Sequence, residues 1–151
     1  MSKRFTFPLH KALEWYRQSL AVEQASLQRI IHEVQVLDRL KESLERRRLS
    51  EHEQLHTTRF ILGEDLRGLA GYSALIRGDL ARLAAERMRK ETSLMEQRRR
   101  VEVQHRRVRV LEQLEQRRKT EWVRSVNLEE DAFASDQFLA SIAANRLQAK
   151  E

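Results

Sequence analysis

Hydrophobic residues recur every seven positions along the first third of the chain. One apolar set has members seven apart, and a second lies mostly three residues after it: Leu13, Leu20, Leu27 and Val34, then Leu9, Tyr16, Ile30, Leu37 and Leu44. This interleaved spacing is typical of the a and d positions of a coiled coil, although Glu23 and Lys41 interrupt it. Pro8 suits a first helical turn, where its missing N–H is not needed. The pattern predicts a first helical arm over about residues 8–62.

A second heptad series follows in the C-terminal half, and it is more polar. Its apolar members are Leu80, Leu94, Val101, Val108 and Trp122, with Ile76, Leu83 and Leu111 at the other heptad position. Polar residues occupy equivalent positions: Arg87, Lys90, Gln97, Gln104, Glu115 and Arg118. We expect ion pairs and long arginine stems to cover this seam. The series predicts a second arm over about residues 73–126.

All four glycines of the chain fall between the two arms, at Gly63, Gly68, Gly71 and Gly78. Glycine permits the backbone conformations that a tight reversal needs, so we place the tip of a hairpin at residues 63–72. Residues 1–151 are therefore predicted to form a single, all-α domain, a long antiparallel two-helix coiled-coil hairpin with a glycine-rich tip turn. Such a fold buries only a strip and leaves no interior to house a reaction.

The last part of the chain differs from the arms in charge. Asn127 followed by Glu130 resembles a helix-capping pair, and an apolar series with acidic neighbours continues behind it. This segment predicts an acidic amphipathic helix over residues 127–147. The net charge of the whole chain is +6, but residues 82–124 carry 14 basic against 7 acidic residues, and residues 125–151 carry 2 against 5. Such asymmetry favours an acidic partner for the basic part.

Composition narrows the function classes. The chain has no cysteine, which excludes disulfides, thiol chemistry and cysteine-built zinc sites. No apolar run approaches the roughly 18 residues that a membrane-spanning helix needs, and no signal peptide is visible. Nucleotide-binding glycine motifs are absent as well. These observations predict a protein that is soluble, or at most peripheral to a membrane, and that needs no cofactor.

The sequence His52-Glu53-Gln54-Leu55-His56 matches the H-E-x-x-H pattern of zinc metalloproteases. On a helix the two imidazoles share one face, but a working site also needs a third ligand, a second shell and a substrate cleft. The glycine and third histidine of the extended motif do not follow. We interpret His52, Glu53 and His56 as a chance match and predict no metal; a zinc hydrolase is the alternative, which metal analysis would test.

Arginine runs occur at residues 46–48, 98–100 and 106–107. Glutamates recur through the same segments and aromatic stacking residues are missing, so the pattern favours a solvated coiled-coil face over a nucleic-acid surface. A basic nucleic-acid binder remains an alternative. It predicts an affinity that falls steeply with salt.

Four segments, taken in order, resemble the FliJ family of flagellar type III export proteins and the related injectisome stalk proteins over nearly the whole length. They are residues 3–9 (KRFTFPL) before the first arm, residues 72–76 (YSALI), residues 108–118 (VRVLEQLEQRR), and the acidic residues 129–133 (EEDAF) with Asp136. The glycine-rich turn departs from the helical tip usual in that family.

The resemblance implies a non-enzymatic stalk of flagellum biogenesis and protein export, and so a role in motility and chemotaxis. It implies that the paired chain ends engage the export ATPase ring, that the other end reaches the cytosolic part of the membrane export gate, and that export chaperones bind as well. The chain would be cytoplasmic and peripheral at the inner face of the membrane, reaching it only through partners, with no nucleic acid bound.

The same resemblance assigns residues to the two ends. The ATPase-end residues would be Phe5, Leu9, Leu13, Trp122 and Phe133, and the gate-end residues would be Leu44, Leu55, Tyr72, Leu75, Leu80 and Leu83. The other alternative is a general structural or adaptor coiled coil, which predicts stable self-association. The sequence does not distinguish a flagellar from an injectisome system.

Overall fold

The computed structural model describes residues 4–57 and 62–150, and these form two long α-helices that pack against each other. Helix α1 spans His10–Thr57 and helix α2 spans Gly63–Gln148. No strand occurs in these two ranges. The predicted all-α helical hairpin is confirmed.

The chain groups into two compact units. Unit 1 consists of Met1–Gln18 with His105–Glu151, and unit 2 consists of Ser19–Gln104. In unit 1, Phe5 meets Trp122 and Tyr16 meets Arg107. In unit 2, α1 residues of rising number meet α2 residues of falling number: Glu23 with Gln97, Glu33 with Lys90, Asp38 with Arg87. The two helices are therefore antiparallel in each unit, as expected.

The predicted glycine-rich turn at residues 63–72 is wrong, because this segment is the first part of α2. None of the described glycines has a positive φ. Glu64 and Asp65 lie in the first turn of α2, where carboxylates interact favourably with the helix dipole. Isolated glycines cost a helix about 1 kcal/mol each, which the leucines and alanines around them can offset. The turn was predicted from the clustering of glycines, and such a cluster does not by itself require a positive φ.

Two further boundaries were predicted for the arms. Helix α1 is described as far as Thr57, whose hydroxyl donates to the carbonyls of Glu53 and Gln54 at 3.2 and 3.0 Å. The predicted end of the first arm near residue 62 falls on residues 58–61, which lie outside the described residues. The second arm begins at Gly63 and not at 73, and the acidic segment 127–147 continues it, since α2 runs unbroken through both points.

The most buried side chains confirm the heptad reading of both arms. In unit 1 they include Leu13, which is fully buried, and Val108; in unit 2 they include Leu37 and Ile76. All four belong to the predicted apolar series. Phe7, just before α1, is buried as well, and the carbonyl of Phe7 accepts the backbone N–H of His10 at 3.1 Å, which sets the start of the helix.

The polar interruptions of the seam in unit 2 pair across it. Gln97 is only 5% exposed, and its amide donates to the backbone carbonyl of Glu23 at 3.0 Å and to the carboxylate of the same residue. Burying an amide is tolerated when it is hydrogen-bonded in this way. Glu23 and Gln97, each predicted as a polar interruption of its own heptad series, therefore pair with each other.

Two ion pairs extend this arrangement. Arg87 Nε donates to Asp38 Oδ1 at 2.6 Å, and Lys90 Nζ donates to a Glu33 carboxylate oxygen. The hydrogen bond that Arg87 donates to Asp38, with a second that it donates to Glu91, raises the pKa of Arg87. The hydrogen bond from Lys90 lowers the pKa of Glu33, and partial burial opposes this effect. All four side chains are about 36–42% exposed, so the pairs contribute more to alignment than to stability.

The Glu33–Lys90 pair predicts an acid-sensitive contribution to stability. Because the pKa of Glu33 is lower in the folded chain than its ordinary value of 4.5, the contribution is present above that pH and is lost as the pH falls through the folded value. We expect the melting temperature of Glu33→Gln to fall less on acidification than that of the wild type, because the variant lacks this contribution. The control is Glu96→Gln, since Glu96 makes no ion pair within the described ranges. Equal acid sensitivity of wild type and Glu33→Gln would contradict the pair.

Neither helix, over the residues described, has a stretch long and apolar enough to cross a membrane.

Candidate partner-binding surfaces

Aromatic residues join the two helices in unit 1. The rings of Phe5 and Trp122 have centroids 5.9 Å apart and are tilted by 51°. The guanidinium carbon of Arg107 lies 5.8 Å from the centroid of the Tyr16 ring, a cation–π contact. Arg17 adds an ion pair to Glu112 at 3.0 Å. These contacts hold the start of α1 and the segment before it against α2.

The structure divides the predicted ATPase-end residues into a packed set and an exposed set. Leu13 has no exposed surface, and Phe5 and Trp122 are half-buried in contact with each other. Leu9 is 40% exposed and Phe133 is 64% exposed. Leu13 is therefore part of the buried seam between the helices, while Leu9 and Phe133 present apolar atoms to solvent.

The end of α2 is the most exposed apolar part of unit 1. We call residues 127–148 the C-terminal extension. All of them except Ile142, which is half-buried, are exposed. The large apolar side chains among them are 62–72% exposed: Leu128, Phe133, Phe138, Leu139 and Leu147. Neither α1 nor the segment before it covers the extension within the described part of unit 1.

The exposed apolar residues of the C-terminal extension lie on two sides of the helix. Leu128, Phe138 and Leu139 lie on one side at helical spacing, and Phe133 and Leu147, fourteen residues apart, lie on another. A helix that lies on one flat surface needs a single apolar stripe. Apolar residues on two sides are suited to a site that surrounds the helix.

Four of these residues were not among the predicted contacts: Leu128, Phe138, Leu139 and Leu147. A signal for them was present in the sequence. After Trp122 polar residues occupy heptad positions that had carried the seam, at Ser125, Glu129 and Asp136. Of the four residues only Leu139 keeps a seam position; Leu128, Phe138 and Leu147 lie at other positions. A break in the heptad register inside a continuous helix marks the point where its partner changes.

The predicted gate-end residues lie in unit 2, where several line shallow grooves. Leu44 and Leu83 line one groove together with Leu40. Leu55 lines another together with Leu69 and Ile76. Tyr72 and Leu80 are half-buried, and Leu75 is 65% exposed. Leu75 is thus the gate-end residue with the most accessible apolar surface, and Leu49, 63% exposed, lies beside the second groove.

Tyr72 is held by a specific partner on α1. Partial burial raises the pKa of Tyr72, and a hydrogen bond to the Glu51 carboxylate raises it further. The neutral phenol is therefore the form that the folded chain favours. This contact pairs the beginning of α2 with the last turns of α1.

The H-E-x-x-H residues lie in the last turns of α1, in unit 2. His52, Glu53 and His56 are exposed, and the two imidazole rings are in edge-to-face contact. No group of three or more His, Cys, Asp or Glu side chains is placed to hold a metal ion in the ranges that the structure describes.

Comparisons of the chain with protein-family models, with curated proteins and with solved structures find no match.

Proposed function

We propose that this chain is a non-enzymatic coupling component of bacterial flagellar type III protein export, which binds the export ATPase through unit 1 and the cytosolic part of the export gate through unit 2. The observation that carries the proposal is the C-terminal extension. It is a continuation of a well-packed helix, yet it exposes Phe133, Phe138 and Leu139 by 62–66%. Exposed apolar surface of this kind indicates a protein partner.

The form of the extension supports an enclosing partner. Its large apolar residues lie on two sides of the helix, and the central hole of a ring-shaped ATPase can contact several sides at once. The acidic residues Glu129, Glu130 and Asp131 at its start give such a partner a charge to recognise. The packed aromatic contact of Phe5 with Trp122 lies just before this point on α2 and gives the extension a firm origin.

Unit 2 offers a different kind of surface, suited to the gate. Its grooves combine leucines with charged rims: Leu44 and Leu83 lie beside Arg47, Asp79 and Arg82. Apolar residues within a polar rim are typical of transient interfaces. We place the gate contacts here, with Leu75 as the most exposed apolar member, and we place chaperone binding on the same protein without assigning residues to it.

The ATPase contact is tested by titrating the purified export ATPase with the full chain and with a Phe133→Ala, Leu139→Ala, Leu147→Ala variant. Alanine keeps the helix intact. We expect binding to weaken by at least about tenfold, since the loss of a single interface hot spot costs about 2 kcal/mol. Val110→Ala is the matched control, because Val110 is 63% exposed on α2 of the same unit but lies outside the extension.

The gate contact is tested in the same way, with Leu75→Ala against Met88→Ala as control, since Met88 is 70% exposed in unit 2. If neither the ATPase nor the gate domain binds the wild-type chain, and deletion leaves swimming unchanged, the proposal is wrong. Sedimentation as a stable oligomer would instead favour the adaptor alternative, and steeply salt-dependent binding of RNA or DNA would favour the nucleic-acid alternative.

A further inference from the structure

His52 and His56 lie one turn apart on α1 in unit 2, and nothing in the coupling function uses them. Their ring centroids are 5.1 Å apart and the ring planes meet at 80°. Both residues are exposed. Two imidazoles at positions i and i+4 of a helix project from the same face, so both can bind one ion without a change in the backbone.

The separation of the two rings fits a shared ion. Imidazole nitrogens bind divalent zinc at about 2.0–2.1 Å, and two such ligands at a tetrahedral angle place their ring centres roughly 5 Å apart. The observed 5.1 Å lies at this value. Because the rings are edge to face, one imidazole has to turn about its Cβ–Cγ bond to direct its nitrogen at the ion. The exposure of both side chains leaves space for that rotation.

We propose that His52 and His56 form a two-imidazole site for a divalent transition-metal ion, with the remaining coordination positions open to water. Imidazole suits copper, nickel and zinc, and the general order of affinities places copper(II) first among them. The site departs from the expectation, drawn from the sequence, that these residues hold no metal. It does not restore the hydrolase reading, because a catalytic zinc centre uses three protein ligands.

Charged side chains of both signs surround the pair of histidines. Glu45 and Glu51 line the same groove as His52, and they bring negative charge near it. Arg48 lines that groove too and opposes the effect. Glu51 is engaged by Tyr72, so it acts as a nearby charge and not as a free ligand.

A bound ion would tie together the last turns of α1. The helix ends at Thr57, one residue after His56, where the Thr57 hydroxyl already bonds to two carbonyls. Two ligands on consecutive turns hold the helical spacing, so the ion binds the folded end better than a frayed one. Metal binding should therefore protect the backbone amides of residues 52–57 from hydrogen exchange.

The test is a calorimetric titration of the full, untagged chain with copper(II) and with zinc(II) at about pH 7.5, since imidazole binds metal ions in its neutral form. We expect one copper site per chain, with zinc binding more weakly. His52→Ala and His56→Ala should each weaken copper binding by about tenfold or more, because a chelate becomes a single ligand. Paramagnetic resonance of the copper complex should show two coordinated nitrogens in the wild type and one in either variant.

His32→Ala and His105→Ala are the matched controls, since both are exposed histidines, one on α1 and one on α2. His10→Ala tests a second pair of side chains that can bind metal, His10 and Glu14, because His10 Nε2 lies 3.0 Å from Glu14 Oε1. Unchanged affinity in these three supports the site. The proposal fails if the wild type shows no saturable binding, if His52→Ala or His56→Ala binds as tightly as wild type, or if His10→Ala removes the binding. These outcomes are independent of whether the chain binds an export ATPase.

Discussion

Leu13→Ala should lower the free energy of unfolding of unit 1 by about 2–3 kcal/mol, the lower part of the range for buried leucines. Leu13 is the largest fully buried side chain among the described residues. Truncating it removes apolar contact and leaves a space between α1 and α2. The lower part of the range applies because a seam between only two helices can close in or admit water more easily than a deep core.

Tryptophan fluorescence isolates this effect. The chain has two tryptophans, Trp15 and Trp122, and both belong to unit 1. Urea unfolding followed by fluorescence therefore reports on unit 1, while circular dichroism reports on both helices. Leu128→Ala is the control, because it makes the same chemical change at a position 69% exposed in the same unit. If the two variants lose equal stability, the placement of Leu13 in the seam is wrong.

The triple variant Gly68→Ala, Gly71→Ala, Gly78→Ala should be more stable than wild type by roughly 1.5–3 kcal/mol, at 0.5–1 kcal/mol for each position. All three glycines lie inside α2 without a positive φ, and a Cβ added at any of them meets nothing within 4 Å. Alanine would restrict the unfolded chain and favour the helix with no steric cost. Gly63 is left unchanged, because it is the first residue of α2.

This variant also separates the two interpretations of the glycine cluster. A turn at residues 63–72 would require glycine and would lose stability and helical signal on substitution, whereas a helix gains both. Ala74→Gly is the reverse control at an exposed position of the same segment, and it should lose about 0.5–1 kcal/mol. Urea unfolding followed by circular dichroism measures all of these changes. A fall in stability of the triple variant would restore the turn.

Part of the candidate site followed from periodicity and part did not. Heptad spacing correctly identified Leu13 and Trp122 as members of the seam in unit 1. The gate-end residues Leu44, Leu55 and Leu83 came from the family resemblance, and their binding role stays a prediction. Heptad spacing did not distinguish buried seam residues from exposed ones. Leu13 and Leu9 are both apolar heptad positions, yet Leu13 has no exposed surface and Leu9 is 40% exposed. Exposure depends on how much of the facing helix is present, which spacing does not report.

The sequence by itself determined that the chain is helical and that its two heptad series favour packing of helix on helix, because a seven-residue apolar repeat puts its apolar side chains on one side of a helix, where contact with another helix removes them from water. Tertiary structure alone decided three things. It placed Gly63, Gly68, Gly71 and Gly78 inside α2 instead of in a turn, since a glycine tolerates a helix as well as a turn. It matched Gln97 to Glu23, a pairing set by the relative register of the helices. It left the C-terminal extension without a partner inside the described chain, because burial is a property of what lies opposite a residue and not of the residue.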